Sequence, residues 1–246
     1  MTPRLHVLLK KEDLEPTLLS GQIVIVLDIL FATSSILHAF AQGIGSVYPA
    51  FDEREALTIG AGLEGCLRAG EFRAEPLPGF LPAMPLMLAK TRLQGKSLVY
   101  CTTNGTVALR RAARAPFVYV GALLNAAALV RYILRAHPAD PVLIVCSGSG
   151  GRFNLEDFYA AGHFVQLFQA HAAAVEPGAE TELNDAAHAA VLLARATGPM
   201  TALTTSRVGR MFQARGEVEE IEYCARADTL DVIARLDAEV IRRISV

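Results

Sequence analysis

Short apolar runs rich in β-branched residues alternate along this chain with stretches whose apolar positions recur every three to four residues. The runs at 4–9, 23–27, 46–48, 98–100, 118–119 and 142–146 read as strands. Helical spacing predicts helices over 36–42, 52–66, 107–115, 123–136, 154–169, 185–195, 206–215 and 230–243, with one more short strand at 221–223. Gly60, Gly62 and Gly65 weaken the second of these helices by about 1 kcal/mol each. Residues 10–13 read as a solvated turn, and Glu176 to Glu180 as an acidic, exposed break. Between 70 and 85, Pro76, Pro78, Gly79, Pro82 and Pro85 predict a long loop, and a loop of that length in a compact domain is often functional. The alternation favours the α/β class: a three-layer α/β/α fold with a largely parallel sheet.

Three strands release small polar residues where a helix follows. Leu98-Val99-Tyr100 leads into Cys101-Thr102-Thr103-Asn104-Gly105-Thr106; Ile23 to Leu27 leads through Asp28 into Thr33-Ser34-Ser35; Val142 to Cys146 leads into Ser147-Gly148-Ser149-Gly150-Gly151, then Asn154-Leu155-Glu156-Asp157. With Ser35 laid on Thr106, Val47-Tyr48 falls on Val118-Tyr119 without a gap, so the strand-helix units are internally duplicated. Any one such junction is explained by Thr102 or Asn104 acting as an ordinary N-cap. Three together point to a composite anion site along one sheet edge, where free helix N–H groups collect.

With 246 residues, 52% of them hydrophobic and 20% charged, the chain can bury a sizeable core. A single domain over 1–246 is expected, possible as two similar intertwined halves. The net charge of −2 gives no reason to expect nucleic acid or an anionic membrane as partner. No apolar run approaches membrane-spanning length, Met1-Thr2-Pro3-Arg4 is not a signal peptide, and Cys66, Cys101, Cys146 and Cys224 form no CxxC pair. A cytoplasmic protein is expected, and its apolar composition is compatible with a homodimer.

The order Asp28-Ile29-Leu30-x-Ala32-Thr33-Ser34, Gly70-Glu71, Thr102 to Thr106, and Leu155-Glu156-Asp157 resembles the 2-phosphosulfolactate phosphatase family. Asn125 and the Ser206-Arg207-Val208-Gly209-Arg210 segment extend the likeness, which spans roughly 24–228. The resemblance implies a magnesium-dependent phosphatase that removes phosphate from a small anionic ester, in the family's case on the route to coenzyme M. Three departures are visible. The family typically has arginine where this chain has Phe31, another arginine directly after Gly-Glu where it has Phe72 and then Arg73, and G-F-D-x-G-N-S-P where it reads Gly79-Phe80-Leu81-Pro82-Ala83-Met84-Pro85. Arginine is the planar clamp for phosphate and sulfonate oxygens, and an apolar side chain cannot replace it.

Magnesium favours carboxylates together with phosphate and water, which makes Asp28, Glu156 and Asp157 the candidate ligands. Asp28, Glu71, Thr103 and Asn104 are the candidate catalytic residues. Thr33, Ser34, Arg73, Thr102, Gly105, Thr106, Ser147 and Ser149 are the candidate substrate contacts. Plainer explanations stand beside these: a helix-start charge for one of Glu156 and Asp157, and a surface ion pair for Arg73. The rival expectation is a non-catalytic anion-binding or regulatory protein that has kept the scaffold and lost the arginines.

Overall fold

The strands alternate with helices as the hydrophobic pattern requires, and they assemble into one sheet with helices on both faces. In this computed structural model residues 4–138, 140–175, 177–178 and 180–245 are described; Glu176 and Ala179 of the acidic break lie outside them, as does the start at 1–3. The strands are β1 (Leu5–Leu8), β2 (Ile23–Leu27), β3 (Ser46–Ala50), β4 (Leu67–Phe72), β5 (Glu75–Pro76), β6 (Ser97–Cys101), β7 (Phe117–Gly121), β8 (Val142–Cys146), β9 (Ile233–Asp237) and β10 (Val240–Ile244). The α-helices are α1 (Ala32–Ala41), α2 (Glu53–Ala61), α3 (Pro85–Leu88), α4 (Gly105–Ala112), α5 (Ala126–Ala136), α6 (Leu155–Val175), α7 (Asp185–Ala196), α8 (Pro199–Thr205), α9 (Arg207–Ala214) and α10 (Val218–Cys224). Among the described residues no helix is long and apolar enough to cross a membrane.

The sheet runs β1-β8-β2-β7-β9-β10-β3-β6-β4-β5. Within it, β1, β8, β2 and β7 pair in parallel, as do β3, β6 and β4. The β9–β10 hairpin joins the two parallel groups by antiparallel pairing, Val118 opposite Leu236 on one side and Ile241 opposite Val47 on the other. The two groups therefore run in opposite directions. The duplicated units cross between them: β2–α1–β3 leaves the first group for the second, and β6–α4–β7 returns.

The hairpin corrects the helix expected over 230–243. Its apolar positions fit helical spacing too, but Ile233, Ala234, Leu236 and Ile241 are buried because the gap between β7 and β3 offers strand partners on both flanks. The short strand expected at 221–223 is helix α10, which buries Ile221 and Cys224. Residues 67–72, expected as loop from 70 and unassigned at 67–69, form β4 beside β6. The helix before it stops at Gly62, and a Cβ on Gly70 would lie 2.4 Å from the Cys101 carbonyl oxygen, so only glycine lets β4 approach here. Helix α8 gave no separate signal, because its threonines interrupt the apolar pattern.

Candidate functional site

Both duplicated strand-helix corners are closed by a threonine. Thr33 Oγ1 donates to the Asp28 carbonyl at 2.9 Å and accepts the Asp28 N–H at 3.0 Å, while Ser34 Oγ donates to the Ile29 carbonyl at 2.9 Å. At the second corner Thr106 Oγ1 donates to the Thr102 carbonyl and accepts the Thr102 N–H, each at 3.0 Å, and the Thr106 N–H donates to Thr102 Oγ1 at 3.2 Å. These hydroxyls lock the turns that start α1 and α4. The Asn104 side chain makes no capping bond, which leaves it for another partner.

The two corners touch. A Cβ on Gly105 would stand 2.4 Å from Ala32 Cβ and 2.7 Å from Asp28 Oδ2, so the start of α4 presses directly on the start of α1 and on the Asp28 carboxylate. Strands rotate by about 20–25° from neighbour to neighbour, and a sheet this wide is not flat. The carboxyl ends of β2 and β6 meet although they belong to oppositely running groups. The site is thus a junction of two groups, not a row along one edge.

The third junction is tied in by Asp157, whose Oδ1 accepts the Ile29 N–H at 2.9 Å and whose Oδ2 accepts the Gly148 N–H at 3.2 Å. Both oxygens are used to hold the β2 and β8 loops together. Glu156 is buried with Oε2 lacking a hydrogen-bond partner, and Ser147 Oγ is buried and equally unpartnered. On the β4 side, Glu71 organises the loop: Oε1 accepts the Thr103 N–H at 2.6 Å, and Oε2 accepts the Ala74 N–H at 2.6 Å and the Thr103 hydroxyl at 3.0 Å. Thr103 Oγ1 in turn accepts the Arg73 N–H at 2.7 Å.

Lys11 corrects the expectation of a solvated turn. It is only 5% exposed, and its Nζ donates to Asn104 Oδ1 at 2.8 Å and to the Ser147 carbonyl at 3.3 Å while pairing with Glu12 at 3.0 Å. A lysine beside another lysine in a polar stretch carries no burial signal, which is why it escaped notice. Lys11→Met is expected to leave two acceptors without their donor, at about 1–3 kcal/mol, read by urea unfolding.

These elements enclose a cavity of about 540 Å³. Seven of the expected residues line it: Asp28, Glu71, Arg73, Thr102, Thr103, Asn104 and Ser149. Thr33, Ser34, Gly105, Thr106, Ser147, Glu156 and Asp157 are not part of that lining. Asn154 and Arg207 line it without having been singled out, with Arg207 Nη2 donating to Asn154 Oδ1 at 3.2 Å. The rest of the lining is largely apolar, with Phe31 packed edge-on against Phe212 at 4.6 Å between ring centroids. A neighbouring cavity of about 430 Å³ shares Glu71, Phe72, Thr102 and Thr103.

Burial pushes the Asp28 carboxyl up to about 7, with the Glu71 and Glu156 charges adding to the shift and the Ala32 N–H and Lys11 opposing it. Burial raises Glu156 as well, and it raises Asp157 together with the charges of Glu156 and Asp28. Three buried acids thus repel one another. Among the described residues no three His, Cys, Asp or Glu side chains gather as a metal site by themselves.

A largely parallel α/β sheet with acids, hydroxyls and helix starts around one cleft defines an open α/β protein, a class in which strand-helix junctions commonly form the ligand crevice. The model of the 2-phosphosulpholactate phosphatase family matches residues 8–239. The chain belongs to that family, one of phosphoric monoester hydrolases. It is 34% identical over 211 residues to a probable 2-phosphosulfolactate phosphatase of Carboxydothermus hydrogenoformans, covering 85% of this chain and 84% of that protein. A namesake from Symbiobacterium thermophilum is 33% identical over 220 residues, 87% of this chain and 91% of the other. One from Thermotoga maritima is 36% identical over 167 residues, 68% and 66% of the two chains.

Proposed function

We propose that the protein is a magnesium-dependent phosphatase that hydrolyses a small phosphate monoester in the Asp28 cavity. The observation that supports this reading is the contact of both duplicated corners on one buried carboxylate, which gathers the starts of α1 and α4 beside the cavity, and helix starts favour anions. The net reaction adds water across the ester P–O bond: the water oxygen joins phosphorus, and the alcohol leaves with one of the water's protons. The rival reading, an anion-binding protein without turnover, keeps the same cavity and differs only in that outcome.

Magnesium suits the charges present. Mg²⁺ is usually held by one or two carboxylates with phosphate oxygens and water completing its shell. Asp28 lines the cavity and Glu156 carries an unpartnered buried oxygen, so these two are the fitting ligands, whereas both oxygens of Asp157 already accept backbone N–H groups. Bound there, the ion would polarise the phosphoryl group and orient a water. With its Oδ1 held by Lys11, Asn104 has its amide N–H groups left to donate to a phosphoryl oxygen. Glu71 fixes Thr103, and Arg73 and Arg207 supply the positive charge of the lining. The same reading places the protein in the cytoplasm, where its four free cysteines would stay reduced.

Phosphate release from a panel of monoesters, with Mg²⁺ and after chelation, tests the proposal: release that stops on chelation and returns with Mg²⁺ is expected. Release unaffected by chelation would remove the metal from it. Glu71→Gln puts an amide N–H₂ where N–H donors point, and it is expected to lower kcat/KM by about tenfold or more, in line with about 1–3 kcal/mol for a lost buried acceptor.

A further inference from the structure

Within that proposed phosphatase site, we infer that the organic group of the ester is apolar, an alkyl or aryl group, and carries no second anion. The lining of the cavity combines polar residues with a large apolar set. The polar part holds two arginines, Arg73 and Arg207, against two carboxylates, Asp28 and Glu71, so it has no surplus of positive charge beyond what one phosphate and one metal ion would use. The arginines' guanidinium groups already have neighbours within the lining, which leaves part of their donors for the phosphate. The Arg207 guanidinium binds Asn154 and the Ser149 carbonyl, and the Arg73 guanidinium lies 5.3 Å from the centre of the Phe72 ring.

Leu30, Phe31, Met84, Val208, Met211 and Phe212, drawn from the β2–α1 corner, the loop before α3, and α9, line the cavity and belong to or pack on one apolar cluster. Phe31 and Phe212 brace one another, and Phe31 is almost fully buried, so this apolar lining is built and not a chance exposure. A carboxylate or sulfonate placed there would lose its water and gain no donor. A hydrocarbon group would gain about fourfold in affinity per buried methylene.

The test measures binding by calorimetry with magnesium present, using methyl-, propyl-, hexyl- and phenylphosphonate, which cannot be hydrolysed, and 2-carboxyethylphosphonate as the two-anion probe. Affinity is expected to climb about fourfold with each methylene that the apolar lining buries, with propylphosphonate at least tenfold tighter than 2-carboxyethylphosphonate. Phe31→Arg is expected to invert that preference, and Met211→Lys serves the same purpose if the first variant does not fold. A flat series, a preference for the two-anion probe, or no binding of any phosphonate overturns the inference. Ester hydrolysis without an alkyl or aryl preference would leave the phosphatase reading standing and remove this one. Tight alkylphosphonate binding without hydrolysis of any ester would do the reverse.

Discussion

Asp28→Asn is expected to remove phosphate release altogether while making the magnesium-free protein more stable at pH 8. The carboxyl sits between the starts of two helices and is raised to about 7 from an ordinary 3.8, chiefly by burial. A group whose pKa is raised on folding lends stability that is complete below its unfolded pKa. That stability is lost as the pH climbs through the folded one. For Asp28 the loss runs from about pH 4 to pH 7, and above it the folded protein bears the full cost of a buried charge. A shift of about three pH units corresponds to at most about 4 kcal/mol. Asparagine keeps an oxygen acceptor for the Ala32 N–H and avoids the charge. For a chain of this length each kcal/mol moves Tm by about 2–4 °C. The variant should therefore melt several degrees above the parent at pH 8, with the difference shrinking toward pH 4. A variant that melts lower at pH 8 would show that Asp28 holds the fold together instead of bearing the strain of the site.

Gly105→Ala is expected to be nearly as damaging to activity by a different route. The added methyl would meet Ala32 Cβ at 2.4 Å and Asp28 Oδ2 at 2.7 Å. Ala32 Cβ cannot swing aside, because it is fixed to the α1 backbone, so α4 must slide away from α1. Overpacking of this kind costs about 1–3 kcal/mol. Displacing the reacting groups by about 1 Å can cost a hundredfold in rate. A drop in kcat of that order, with a Tm lowered by several degrees, is the expected pair of readings. Unchanged kcat would mean that the contact of the two corners does not set the geometry of the chemistry.

The central strands and the helices that follow them were legible because continuous β-branched runs and helical spacing are local properties, as with β2, β6 and β8. The hairpin β9–β10 was not. Its apolar spacing suits a helix equally well, and only the gap between β7 and β3 decides the matter. Strand β4 was hidden for a related reason: Gly70 reads as a loop residue until the Cys101 carbonyl is seen lying against it. At the site, Asp28, Thr103 and Asn104 announced themselves as polar residues at strand ends and Glu71 through the Gly70-Glu71 likeness to the family, and all four line the cavity. The hydroxyls of Thr33, Ser34 and Thr106 looked the same in sequence but are spent on closing the corners. Lys11 and Arg207 reach the site from elements far away in the chain, and no local pattern marks a lysine for burial. The apolar lining was half visible, in Phe31, Ala83 and Met84. Its continuation through Met211 and Phe212 depends on where α9 packs.

The most direct test of the account is the rate of inorganic phosphate release from a panel of phosphate monoesters, 2-phosphosulfolactate included, by the parent protein and by Asp28→Asn across a range of Mg²⁺ concentrations. The account predicts release by the parent that rises with Mg²⁺ to saturation, and none by the folded variant at any concentration. Release by Asp28→Asn equal to that of the parent, or no release from any ester by the parent with Mg²⁺ present, would contradict it.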